Sequence, residues 1–146
     1  PSFSDCAAAL AMTRASIAEK LGQKAVARVV AHAAHAHEPA LFTTAPVPAM
    51  SKVMEKAGWT VNDVDLFEVN EAFAVVAMIA AKELGIPEDK LNINGGATAL
   101  GHPIGASGAR ILATLIAALE NRGLKRGVAS LCIGGGEATA FAVELI

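Results

Sequence analysis

Gly127-Val128-Ala129-Ser130-Leu131-Cys132-Ile133-Gly134-Gly135-Gly136-Glu137-Ala138-Thr139-Ala140-Phe141-Ala142-Val143-Glu144-Leu145-Ile146 is the stretch that decides the fold. Two apolar runs, Gly127 to Ile133 and Ala138 to Ile146, flank three consecutive glycines, which reads as two strands joined by a tight connection. Just upstream, Ser107 to Asn121 sets Ile111, Leu115 and Leu119 on one stripe with Leu112 and Ile116 beside it, and Gly123 lies past the end. That spacing is the signature of an amphipathic helix with a glycine stop. A helix feeding a hairpin predicts a sheet with helices packed on it.

The same alternation continues toward the N-terminus. Val64 to Val69 reads as a strand ending at Asn70-Glu71, followed by a helix from Ala72 to Leu84 that Gly85 and Pro87 close. Asn62-Asp63 is turn chemistry. Pro46 and Pro48 suit the first turn of a helix to about Ala57, with Met50, Val53 and Met54 at core spacing and Gly58 as the stop. Ala25 to Ala34 is most simply a strand and His35 to Ala45 a loop. Leu91 to Ile93 reads as a short strand, Ala7 to Met12 as a short buried strand, and Arg14 to Leu21 as a helix closed by Gly22.

A chain of 146 residues can bury a real core. Its apolar share of 53% with only 4% aromatic residues favours small aliphatic packing of helices on a sheet over a β-sandwich. Net charge is −2 and Lys and Arg are scattered, so no electrostatic case for nucleic acid exists. Apolar stretches such as Ala74 to Ala81 fall well short of the ~20 residues a membrane span needs, and a soluble, cytoplasmic protein is the expectation. Cys6 and Cys132, far apart in the sequence, read as thiols of a reducing compartment and not as a disulfide framework. The opening Pro1-Ser2-Phe3-Ser4-Asp5 lacks a methionine and runs into apolar sequence, which reads as an interior beginning.

Two segments carry the residues of acyl-transfer chemistry. In Asn94-Gly95-Gly96-Ala97-Thr98-Ala99-Leu100-Gly101-His102-Pro103-Ile104-Gly105-Ala106-Ser107-Gly108-Ala109-Arg110, Pro103 forces His102 out of helical conformation, glycines at 101, 105 and 108 clear its surroundings, and a helix N-terminus follows. A lone loop histidine is more often simply satisfied by backbone groups, but this setting suits a general base. Cys132 alone reads as a small buried residue at a strand end. The glycines after it open backbone N–H groups that form an anion nest, expected to lower the thiol pKa and, through the Gly134 N–H, to face an oxyanion. Asn70, at a strand-to-helix junction, is explained equally by helix capping, yet the carboxyl ends of strands are where α/β sheets gather ligands. His32, His35 and His37 lack the cysteines or acids of a metal site, and Gly101, Gly105 and Gly108 do not fit the dinucleotide fingerprint.

Asn70-Glu71-Ala72-Phe73, Asn94-Gly95-Gly96 with Gly101-His102-Pro103-Ile104-Gly105-Ala106-Ser107-Gly108-Ala109-Arg110, and Cys132-Ile133-Gly134-Gly135-Gly136, in this order, resemble the C-terminal part of thiolases, most nearly the acetyl-CoA acetyltransferases. Gly58-Trp59 and the loop Phe42-Thr43-Thr44-Ala45-Pro46 extend the likeness over nearly the whole chain. The resemblance implies an α/β fold with a mixed β-sheet and helices on both faces, residues 1–24 being the last strand and helix of an N-terminal domain and 25–146 the C-terminal domain. It implies His102 as the base that activates a nucleophilic cysteine and a donor in one oxyanion site, Cys132 as the acid/base for the α-carbon, Asn70 as holder of the oxyanion water, and Gly134 as a second oxyanion donor. Ala72, Phe73 and Phe42 would line the substrate. Coenzyme A thioesters would be the substrates, with no metal or redox cofactor, and the partners would be an N-terminal thiolase half and further copies in a homo-oligomer.

The nucleophilic cysteine of the family belongs to a motif absent here. Cys6 does not replace it, because Asp5-Cys6-Ala7 stands where the family has Asp-Gly-Ala. This chain is therefore expected to carry half of an active site and to be inactive alone. The rival is a binding or assembly module that keeps the fold without the chemistry. A decarboxylating ketoacyl synthase is disfavoured, since Cys132 stands where a second histidine would lie.

Overall fold

The computed structural model describes residues 1–146. Its centre is a four-stranded sheet of β1 (Ala27–Ala36), β2 (Leu66–Val69), β3 (Arg126–Ile133) and β4 (Glu137–Leu145). The strand order is β1-β4-β3-β2, with β1 and β3 antiparallel to β4 and β2 parallel to β3. The expected hairpin is thus the middle of the sheet, and β1 adds to its outer strand. Around it lie α1 (Ala15–Lys20), α2 (Pro46–Ala57), α3 (Ala74–Leu84), α4 (Ala97–Leu100) and α5 (Ser107–Arg122). The three long helices α2, α3 and α5 end at the glycines that the sequence marks as stops, Gly58, Gly85 and Gly123.

Alternation along the strands divides the core in two. Phe67, Val69, Val128, Ala138 and Ala140 face α2 and α3, where Met50, Val53, Met54, Val76, Ala77 and Ala80 meet them. Leu66, Ala129 and Val143 face the Ile111, Leu115 and Leu119 stripe of α5. Helices therefore cover both faces of a mixed sheet, as expected of an α/β domain. The fit on the α5 side is close: a Cβ at position 127 would sit 2.8 Å from Leu115, so glycine there sets the helix-to-sheet spacing. No helix is long and apolar enough to cross a membrane.

Several expectations need correction. Ala7 to Met12 is not a strand but mostly exposed chain that pairs with no strand of the sheet, an apolar run with no partner here; residues nearby make only the single bridge Phe3–His102. Leu91 to Ile93 contributes one bridge, Leu91 to Phe67, since Asn92 turns the chain away with a φ of 48°. The expected loop from His35 is ordered: β1 runs to Ala36, and Pro39–Thr44 forms a 3-10 helix in which the Thr44 hydroxyl donates to the Leu41 carbonyl at 2.8 Å. Helix α3 starts at Ala74 rather than Ala72.

Candidate active site

β2 and β3 run parallel, so their carboxyl ends emerge on one edge, carrying Asn70 and Cys132 respectively. The Asn70 N–H continues the ladder by donating to the Ser130 carbonyl at 2.9 Å. Asn70 is not a helix cap, as α3 begins four residues later with Phe73 at its cap position and no side-chain cap bond. Its side chain points instead to the layer of α5, where the loop before that helix delivers His102.

The His102 corner is built from both sides. Its N–H donates to the Ser2 carbonyl at 3.0 Å, and Gly101, at φ 88°, has no room for a side chain because a Cβ would overlap the Ser4 hydroxyl. Ser107, fully buried in the first turn of α5, donates its hydroxyl proton to the Pro103 carbonyl at 3.0 Å. Its lone pairs are left to accept from His102 Nδ1, 2.6 Å away. That bond places the imidazole proton on Nδ1 and makes Nε2 the acceptor. Nε2 faces the Asn70 amide, which donates to it across a long 3.4 Å. Burial first, then the Arg110 cation, hold the His102 pKa below its ordinary value. At neutral pH the ring is a neutral base with its acceptor nitrogen turned toward the sheet end.

Asn70 Oδ1 is buried without a hydrogen-bond partner in the protein. Such an atom is rare enough to require a reason.

Cys132 shares the sheet edge but packs on the other side, against the α2–α3 cluster. Burial raises its thiol pKa, opposite to the expected lowering by a glycine nest. Desolvation of the charged form outweighs the dipoles here. The Gly134 and Gly135 N–H groups make no backbone hydrogen bond, whereas the Gly136 N–H closes the turn on the Ile133 carbonyl at 3.1 Å. Nothing lies within 4 Å of a Cβ built on Gly134. Phe42 and Phe73 meet edge to face with centroids 6.0 Å apart, Phe73 more than half exposed, and half-buried Ala72 lies next to Phe73 in the chain.

The three remaining histidines are otherwise engaged: His32 stacks on Phe141, His35 accepts from Lys52 at 3.0 Å and His37 Nε2 meets the Leu41 carbonyl at 2.8 Å. No three His, Cys, Asp or Glu side chains are grouped to hold a metal ion.

Four further residues shape the site, two of them, Ser107 and Arg110, inside the histidine segment. Ser107 sets the tautomer of His102; its spacing, five residues on in the first turn of a helix, was the available signal. Asn92 brackets the end of β2, accepting from the Val69 N–H at 2.8 Å and donating to its carbonyl at 2.9 Å. Glu68 is buried on the α5 face of β2, with a pKa raised to about 7 by desolvation and by Glu71, against the pull of Arg110. Arg110 Nε in turn is buried without a partner.

Residues 23–145 match the family described as Thiolase, C-terminal domain. Among curated relatives, the chain is 51% identical to the acetyl-CoA acetyltransferase of Allochromatium vinosum and 50% identical to the cytosolic acetyl-CoA acetyltransferase of Mus musculus. Each alignment covers 97% of this chain and 36% of the relative, so the chain spans about a third of their length. A crystal structure of the Bacillus anthracis acetyl-CoA acetyltransferase superposes with a TM-score of 0.87 at 42% identity, over 90% of this chain and 34% of that one. The chain belongs to the thiolase family, and its residues 23–145, which hold the sheet and helices α2 to α5, match the family's C-terminal domain.

Proposed function

We propose that this chain is the C-terminal catalytic half of a thiolase that interconverts two acetyl-CoA with acetoacetyl-CoA and free coenzyme A. The observation that carries the reading is the preset imidazole: Ser107 holds the His102 proton on Nδ1, and Nε2 is left as the acceptor. A base already in its working tautomer needs no rearrangement before it takes a thiol proton.

In the thiolysis direction, His102 Nε2 takes the proton of a nucleophilic cysteine supplied by an N-terminal half, and that sulfur attacks the ketone carbon of acetoacetyl-CoA. The bond between the ketone carbon and its α-carbon breaks, the electron pair passes to the α-carbon, and Cys132 protonates it, releasing acetyl-CoA. The thiol of free coenzyme A then gives its proton to the Cys132 thiolate and attacks the acetyl-enzyme. The expelled cysteine recovers its proton from His102. A raised thiol pKa suits Cys132 to this role, since it keeps the proton in hand until a carbanion demands it. The unpartnered Asn70 Oδ1 supports the binding of an oxyanion water there, and the free Gly134 N–H supports a second oxyanion site. Ala72, Phe73 and Phe42 are assigned to the substrate side. The reaction proceeds without metal or redox cofactor, in a cytoplasmic homo-oligomer of the full-length protein.

Steady-state thiolysis of acetoacetyl-CoA by the full-length protein, with His102→Ala as control, tests the assignment. Turnover is expected in the full-length protein and none in this chain by itself. Thiolysis by the purified chain above its own His102→Ala control overturns the placement of the nucleophile elsewhere. A full-length protein that folds, binds coenzyme A thioesters and turns nothing over leaves the rival reading, a binding or assembly module.

A further inference from the structure

Between Asn70 and the His102 corner lies a carboxylate that the reaction itself does not use. Glu71 Oε2 accepts the Thr98 N–H at 2.9 Å, in the short helix α4 that leads straight into Gly101-His102. Glu71 Oε1 faces the Asn92 amide at 3.4 Å, the same amide that clamps the end of β2. The fit is exclusive, because any Cβ on Gly96 would overlap the Glu71 carboxylate. One side chain thus ties the strand end carrying Asn70 to the segment carrying His102, from the position next to Asn70 in the chain.

Resting on the acyl-transfer reading above, we infer that Glu71 is a positioning residue, whose two-pronged grip on Thr98 and Asn92 fixes the separation and attitude of His102 relative to Asn70. A carboxylate does this better than an amide, as both oxygens accept and the two partners are both donors. Displacing a reacting group by about 1 Å costs about 10²-fold in rate.

The test uses the full-length protein with Glu71→Ala, Glu71→Gln and Gly96→Ala, read by thiolysis kinetics and by NMR titration of the His102 imidazole. Glu71→Ala is expected to lower kcat by about 10²-fold with KM little changed, and to let the His102 titration rise toward the ordinary imidazole value as its dry seat opens beside Arg110. Glu71→Gln, which still accepts from Thr98, is expected to keep most of kcat and the low titration. Gly96→Ala is expected to resemble Glu71→Ala, and adding it to Glu71→Ala to cost nothing more, because the group it collides with is gone. An unshifted His102 titration in Glu71→Ala overturns the inference whatever the turnover, as does full additivity of the two substitutions. Absence of thiolysis in the unmutated protein sinks the acyl-transfer reading, while the titration still decides on Glu71. Should Glu71→Ala not fold, Glu71→Asp, one methylene short of Thr98, carries the same titration test: a smaller upward shift supports the inference and none overturns it.

Discussion

Around His102 the glycines make way for side chains: Gly96 abuts the carboxylate of Glu71 and Gly101 the hydroxyl of Ser4. Around Cys132 the tightest approach is to backbone: Gly136, at φ 91°, abuts the carbonyls of His37 and Glu38, Gly135 lies by the Glu137 carboxylate, and a Cβ on Gly134 would meet open space. The imidazole is aimed by a hydrogen bond it donates to Ser107 and one it accepts from Asn70, the thiol by strand register alone. Burial nevertheless acts on both in one sense. It lowers the pKa of His102 and raises that of Cys132, because dry surroundings penalise the charged form of each. Two segments of like composition thus deliver a neutral imidazole and a neutral thiol by different mechanical means.

The hardest test of this contrast is functional. In the full-length protein, His102→Ala and Cys132→Ser are each expected to lower turnover by about 10² to 10⁴-fold, but only His102→Ala should also abolish rapid acetylation by acetyl-CoA. Quenched-flow labelling measures that burst. If Cys132→Ser removes it as well, the two residues do not hold separate roles.

Next comes the charge buried beneath the corner. Glu68 has a folded pKa near 7 against an ordinary value of 4.5, so the folded state holds its proton more tightly than the unfolded chain. Stability from this group is therefore full below about pH 4.5 and declines as pH rises through 7. Ionising it costs on the order of 3 kcal/mol by the usual conversion. Glu68→Gln should raise unfolding free energy at pH 8 by an amount of that order and flatten the decline between pH 5 and 7 in urea titrations. An unchanged slope would mean Arg110 neutralises Glu68 fully.

A smaller effect is expected from Ser107→Ala. Losing the acceptor for Nδ1–H frees the other tautomer, and one hydrogen bond of about 1 kcal/mol corresponds to roughly tenfold or less in kcat. The nitrogen chemical shifts of His102 report the tautomer directly, and an unaltered Nδ1–H population would show that the corner does not depend on Ser107.

The smallest lies at the turn. Gly134→Ala meets open space, and its thermal midpoint should stay within about a degree of the parent, as surface substitutions of this kind change stability by under ~0.5 kcal/mol. A clear loss of midpoint would show that the turn, too, is held by packing at that position.

The sheet and its long helices were readable because each depends on a local pattern: the Ile111, Leu115, Leu119 stripe, the paired apolar runs about Gly134-Gly135-Gly136, and a glycine after each helix. Ala7 to Met12 misled because an apolar run states a wish to be buried and not which edge will bury it. The positions of Asn70, His102 and Cys132 at one end of the sheet followed from motifs, but the supports did not. Asn92 and Glu71 act through hydrogen bonds between segments that meet only in three dimensions, and the desolvation of Cys132 depends on the core it packs against. No spacing encodes either, whereas Ser107 stood at a readable distance from His102.

The pairing of β1 with β4 carries a consequence for how the molecule comes into being. Ala27 must find Leu145, and His35 must find Ala138, more than a hundred residues away, so of the four strands the first in order is completed by the fourth. Such high contact order exacts its loop-closure entropy late and slows folding. On the ribosome β1 waits with an unpaired edge until the final strand emerges, an interval in which it is open to pairing with other chains. Removing the residues from Glu137 onward would leave that edge permanently open, whereas losing only Glu144 and Leu145 would bare no more than Arg28 and Ala27.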